Sequence, residues 1–261
     1  MRALSIATTG MAAQQLNVEV IANNIANANT TGYKRNKAEF ADLLYQTERQ
    51  AGVPNRSGGE PIPAAIQIGL GVQNVAVRSV NLQGSLASTG NQLDLALNGR
   101  GWFQISGANN QTLYTRAGNF SKNAQGQLCT QDGSLLIPNI TLPSNTISVE
   151  ITSDGIVYAD TGTGTMQQIG QITIASFPNE AGLQALGNNL FQETTSSGNA
   201  QTANPGTSGY ATIQQKYLES SNVDPVQEIT NLISAQRNYE MNSKVIEAAD
   251  GMFQTITKNN L

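Results

Sequence analysis

The residues capable of chemistry are few, and their spacing points away from catalysis. The 261-residue sequence has no histidine and a single cysteine, Cys129. That removes the commonest general base, the commonest metal ligand and every Ser-His or Cys-His nucleophile pair. Cys129 stands between Leu128 and Thr130 in a strand-like stretch, cannot close an internal disulfide, and reads as packing. The 18 carboxylates are scattered, with no spacing that gathers two for acid–base work. Gly69-Leu70-Gly71 lacks the third glycine and the strand–helix context of a dinucleotide loop, and no Gly-Lys-Ser or Gly-Lys-Thr offers a phosphate cradle. Trp102 and Phe103, after Gly99 and Gly101, read as core rather than as a ligand platform. The sequence thus predicts no enzyme, no cofactor and no metal site.

Charge narrows the partners further. A formal net charge of −4 supplies no field for polyanions, which argues against nucleic acid. Only 12% of residues are charged, against about 25% in ordinary soluble domains. The 28 Asn, 24 Gln, 24 Thr and 19 Ser make the surface polar but nearly uncharged. No window of 18 or more apolar residues occurs, and the opening Met1-Arg2-Ala3-Leu4-Ser5 lacks the apolar block of a cleaved secretory signal. The expectation is neither a membrane span nor a cleaved leader.

What remains is apolar periodicity at both ends. Leu4, Met11, Val18 and Ile25 recur every seven residues, with Ala7, Ile21 and Ala28 at the intervening position and Gln14 breaking it once. This is a coiled-coil seam. The helix is expected to stop near residue 30, with Gly32 available for a left-handed stop and Lys34, Arg35 and Lys37 beyond its end. Near the other terminus Asp224 caps, Pro225 takes the first helical position and Gln227 follows the cap by three. Leu232, Tyr239, Ile246 and Phe253 again step by seven, with Ala235, Asn242, Ala249 and Ile256 between them. The predicted packing seam is therefore Leu4, Met11, Val18, Ile21, Ile25, Ile229, Leu232, Tyr239, Ile246, Phe253 and Ile256.

Between the helices the texture becomes short alternating runs broken by Asn98-Gly99, Asp132-Gly133 and Asp154-Gly155, which are hairpin signals. They predict an antiparallel β domain whose core draws on Leu93, Leu95, Leu97, Phe103, Ile105 and Phe120. Pro- and Gly-rich Gln50 to Pro63 and Ser/Thr/Asn-rich Thr194 to Gly209 read as linkers. The expected class is α+β: paired terminal helices with an inserted β domain. The expected segments are 1–44 (helix), 45–71 (extension), 72–202 (β domain), 203–221 (return linker) and 222–261 (helix).

Each buried seam side chain stabilises by about 1.5–3 kcal/mol, while each ordered backbone residue costs about 1–2 kcal/mol. An isolated helix of this kind is marginal. A two-helix pair still has an open side, and Ala3, Ala7, Gly10 and Ala13 leave room for close neighbours. Further copies of the chain are expected to complete the packing, and a heterologous contact repeated around an axis builds a filament.

At these residues the chain resembles the axial proteins of the bacterial flagellum, the rod and hook family. The likeness lies in Thr9-Gly10-Met11-Ala12-Ala13-Gln14-Gln15, Val20-Ile21-Ala22-Asn23-Asn24-Ile25-Ala26-Asn27 and Asn29-Thr30-Thr31-Gly32-Tyr33-Lys34. Near the C-terminus it lies in Ser221-Asn222-Val223-Asp224 and Ala235-Gln236-Arg237-Asn238-Tyr239-Glu240-Met241-Asn242-Ser243-Lys244, where Asn238 stands in place of a commoner Ala. Leu97 to Phe103, Tyr114 to Phe120 and Gly187 to Phe191 extend it through the middle. Length and the segment from Leu44 to Gly71 are most similar to the distal-rod branch. The resemblance implies a structural subunit, exported by the flagellar type III route without a cleaved signal and polymerised across the periplasm into a drive shaft. The helices would form an inner tube, the β domain an outer layer, and Tyr45 to Gly69 a bridge between subunits. Implied partners are identical copies, proximal rod, hook, and the rings of the peptidoglycan and outer-membrane layers. Alternatives are a proximal-rod or hook subunit or, from another class, a secreted adhesin or phage-tail-like β protein.

Overall fold

The computed structural model describes residues 2–49, 65–107, 111–162 and 165–259. The linker expected over Gln50 to Pro63 lies outside the described residues. The chain divides into two compact units. One comprises Met1–Ile25, Asn36–Arg78 and Pro225–Leu261; the other comprises Ala26–Arg35 and Ser79–Asp224.

The first unit holds α1, Arg2–Ala26, and α2, Pro225–Asn259. Helix α2 begins at the proline that the cap signal indicates. Helix α1 ends at Ala26, four residues before the expected stop, because Asn24 turns its amide to the chain beyond. Its Nδ2 donates to the Asn36 carbonyl at 2.8 Å and its Oδ1 accepts the Asn36 N–H at 2.9 Å. Beside the helices runs a two-stranded ribbon. Strand β1, Asn36–Asp42, pairs with β4, Val72–Ser79; β2, Tyr45–Arg49, pairs antiparallel with β3, Ile66–Gly69. Bonds from the Leu43 N–H to Gly71 O and from the Leu70 N–H to Leu44 O join the two ladders into one.

The second unit is antiparallel β. Its largest sheet is ordered Gln184–Gly187, Leu190–Gln192, Thr112–Thr115, Trp102–Ser106, Ile174–Ser176 and Gln201–Ala203, with Leu136–Ile137 also paired to the Trp102 strand. Both faces of its central strands are covered, so burial is continuous rather than alternating. Phe103, Ile105, Leu113 and Ile174 point into the main core with Leu95, Leu97 and Phe120. Their neighbours Trp102, Tyr114 and Ala175 point the other way, into a smaller cluster with Phe177. Of the six core residues expected from sequence, five are buried and Leu93 packs partly buried against them. Cys129 is buried, its thiol directed to the Ser121 carbonyl.

Residues 203–221, expected as a return linker, contain two strands. Thr212–Gln215 pairs with Leu95–Asn98, and Tyr217–Glu219 with Leu86–Ser88. Composition concealed them because of the inward-facing residues only Ile213 is a buried apolar one, the others being polar. The strand Val72–Ser79, expected within the β domain, instead belongs to the first unit as β4.

Candidate assembly surface

Helices α1 and α2 lie side by side and antiparallel. Asn24 Nδ2 donates to Glu228 Oε2 at 3.2 Å, and a Cβ on Gly10 would come within 2.9 Å of the Asn242 amide. A step of fourteen residues back along α1 is thus matched by fourteen forward along α2, two heptads on each. Small residues make the approach close: Ala7 and Ala13 of α1 and Ala235 and Ala249 of α2 are buried. At one end the contact is polar, since Asn24 and Glu228 are each almost fully buried. A buried, satisfied polar pair of this kind fixes register, because sliding by one turn would strand it without partners.

The larger seam residues stand on the shoulders of this contact. Ile21 is buried; Leu4, Met11, Val18, Ile25, Leu232 and Ile246 are half-buried; Ile229, Tyr239 and Phe253 are exposed. Ile256 lies in α2, with its side chain outside the described residues. Between the helices Val18 and Tyr239, flanked by Gln15, Glu19, Gln236 and Glu240, line an open groove of about 520 Å³. Val226, Ile233, Met241, Val245 and Met252 of α2 are exposed as well, beyond the expected seam. Their signal was present in the sequence, since Met241, Val245 and Met252 are spaced by four and then seven. A helix with eight exposed large apolar side chains among its described residues carries far more uncovered apolar surface than solvent-facing helices do.

The ribbon repeats the theme. Phe40, Leu44, Tyr45, Ile66, Leu70, Val75 and Val77 are exposed on it, whereas Ala38 is buried. Two strands alone are marginal in water. Besides the Asn24–Asn36 bonds, it is tied to α1 at two further places among the described residues. Arg2 pairs with Glu48 at 2.5 Å, and Thr9 Oγ1 accepts the Val72 N–H at 3.4 Å. Gly71, at φ +125°, makes that second tie feasible: a Cβ there would lie 2.3 Å from Thr9 Oγ1.

In the second unit three passes of the chain are knotted together around Glu219. Its side chain is fully buried, with Lys34 Nζ and Arg116 Nε each at 2.5 Å and the Gly84 N–H at 3.0 Å. Burial alone would push this carboxyl up; Arg116, then Lys34, outweigh it and hold it below its usual range. Burial lowers the Lys34 ammonium, with Glu219 opposing. Arg116 also donates to the carbonyls of Leu97, Gly99 and Gly101. Asn222 adds a second knot, accepting the Arg35 N–H at 2.7 Å and donating to the carbonyls of Val80 and Leu82. Lys34, read from sequence as a cation beyond a helix end, is in fact a buried partner 185 residues from its carboxylate. Gly32 takes φ +69°, as a left-handed stop would, but six residues past the helix; a Cβ there would meet Ala117 N at 2.8 Å.

These elements coincide with the regions shared with known proteins. The description "Flagella basal body rod protein" matches residues 4–34, "Flagellar basal body rod FlgEFG protein C-terminal" residues 214–259, and "Flagellar hook protein FlgE/F/G D1 domain" residues 96–159. The flagellar basal-body rod protein FlgG of Agrobacterium fabrum is 57% identical over 260 residues, covering 99% of each chain. The chain belongs to the FlgG family of flagellar basal-body rod proteins. Within one organism, Caulobacter vibrioides, the FlgG protein is 51% identical over 99% of both chains. The FlgF rod protein there is 35% identical over 88% of this chain. The FlgG match therefore takes in both seams, the ribbon and the Glu219 cluster, and the C-terminal description spans Glu219 and the whole of α2.

Proposed function

We propose that this chain is a structural subunit of the distal rod, the straight segment of the flagellar drive shaft that passes torque from motor to hook. The observation that carries the reading is the match to FlgG rod proteins over nearly the whole of this chain. The exposed stripe on α2 supports polymerisation, since copies stacked around an axis would cover Ile229, Tyr239 and Phe253 along with the half-buried Leu4, Met11, Val18 and Leu232. The helices then form the inner tube and the β unit its outer layer. The exposed apolar residues of strands Asn36–Asp42 and Val72–Ser79 are then covered by a neighbouring copy, a contact that would stiffen the shaft.

The role is mechanical, and the neighbours are identical copies, proximal rod below, hook above and the rings of the peptidoglycan and outer-membrane layers around it. The location is the basal body between inner and outer membranes. An outer surface rich in Asn, Gln and Thr suits turning inside a bushing, because few fixed ion pairs can form with it. Leu232→Asp places an unpaired charge on the seam and tests the reading. The expected result is loss of motility and of rods beyond the proximal segment, with the β unit still folded; normal motility with normal rods would contradict it.

A further inference from the structure

The two flanks of helix α2 carry charge of opposite sign. Ala235, Asn242 and Ala249, seven residues apart, face α1, since both alanines are buried and Asn242 meets Gly10. At about 100° per residue, the positions between them fall to one flank of that line or to the other. On one flank Gln236, Tyr239 and Glu240 join Gln15, Val18 and Glu19 of α1 around the open groove of about 520 Å³. Its apolar residues are Val18 and Tyr239, and its rim is acidic. Glu19 accepts the neutral Gln15 amide at 3.1 Å, and Glu247 continues the line of Glu240 one heptad on. The other flank is the complement. Met241, Val245 and Met252 are exposed there, and Arg237 and Lys244, exposed too, border Met241 from four residues before and three residues after. Neither cation has a partner among the described residues.

We infer that the acid-rimmed groove of one copy receives the Met241 and Val245 flank of a second copy, whose Arg237 and Lys244 then stand against Glu19 and Glu240 of the first. This rests on the polymer reading and supplies a contact for it. Identical chains of net charge −4 repel one another at long range, where salt screens the effect; at contact, what counts is which groups face each other. Burial of the apolar side chains drives the association, and the charges decide which flank meets which. Groove on groove sets acid against acid, and flank on flank sets cation against cation. The crossed arrangement brings opposite signs together. Because its two surfaces differ, the contact is heterologous: each added copy leaves one groove and one basic flank open, so the contact repeats around an axis.

Charge reversal on each surface of the full-length chain tests this. One variant carries Arg237→Glu and Lys244→Glu, the other Glu19→Lys and Glu240→Lys. Glu19 is half-buried and the other three are exposed, so both variants should keep the circular dichroism of the parent. Glu240→Lys alone replaces the second variant if Glu19→Lys changes the fold. Each variant by itself should need about tenfold more protein to polymerise, read by sedimentation and light scattering. Mixed in equal amounts, they should polymerise near the threshold of the parent, because each reversed surface then meets its opposite. Polymerisation of either variant alone at the parent threshold overturns the contact while leaving the polymer reading intact. So does a mixture of folded variants that stays as impaired as each alone. A parent chain that never polymerises overturns the contact and the polymer reading together.

Discussion

At Glu219 a carboxylate without solvent contact is held by two cations drawn from distant parts of the chain. Its folded pKa lies below the unfolded value of about 4.3, so the unfolded chain takes up more protons as pH falls. The stabilisation is present above about pH 4.3 and is lost as pH drops through the lower folded value. Glu219→Gln leaves Lys34 and Arg116 uncompensated and should destabilise the β unit by about 3–5 kcal/mol, with a flatter acid limb. Urea unfolding of both proteins at several acidic pH values measures this; equal midpoints and equal acid limbs would count against the knot. Tyr114 gives the alkaline counterpart. Burial, reinforced by the Glu193 carboxylate, pushes its hydroxyl up to about 12. Its contribution is therefore present below about pH 10 and lost as pH rises through about 12. Absorbance titration should find a tyrosine ionising near pH 12 that Tyr114→Phe removes. None of this chemistry was legible in the sequence. Lys34, Arg116 and Glu219 are separated by scores of residues, and no local pattern announces a pairing made only by the fold.

Among elements, the helix pair turns on the close passage of α1 over α2. Gly10→Val would drive a branched side chain into the Asn242 amide, where a Cβ alone already meets it at 2.9 Å. The expected outcome is slower or weaker polymer growth with an unchanged melting temperature for the β unit, read by light scattering and calorimetry. The start of α2 was legible because an Asp cap and a first-position proline act locally. The end of α1 was not, since it is set by Asn24 capturing the backbone of Asn36. The β core was legible through alternation and Gly turns, as Leu95, Leu97, Phe103, Ile105 and Phe120 attest. Of the ribbon only Tyr45–Arg49 and Ile66–Gly69 fell in the expected extension, while Asn36–Asp42 was placed with the N-terminal helix and Val72–Ser79 with the β domain, because strands that face outward on most positions give little inward–outward contrast. The same weakness hid Thr212–Gln215, a strand with one buried apolar residue.

For the molecule as a whole, two features set what the free chain lacks. Among the described residues, helix α2 bears eight exposed large apolar side chains and the two-stranded ribbon exposes Phe40, Leu44, Tyr45, Ile66, Leu70, Val75 and Val77. Burying each would contribute about 1.5–3 kcal/mol, far more than surface ion pairs of the Arg2–Glu48 type at about 0–1 kcal/mol. Assembly should accordingly be governed by apolar coverage and respond weakly to salt at the helices. The most direct measurement is sedimentation velocity of purified full-length chain over a wide concentration range, with electron microscopy of the heaviest fraction. Growth from monomer to tubular polymer as concentration rises, abolished by Leu232→Asp, is the expected result. A chain that stays monomeric at every concentration would contradict it.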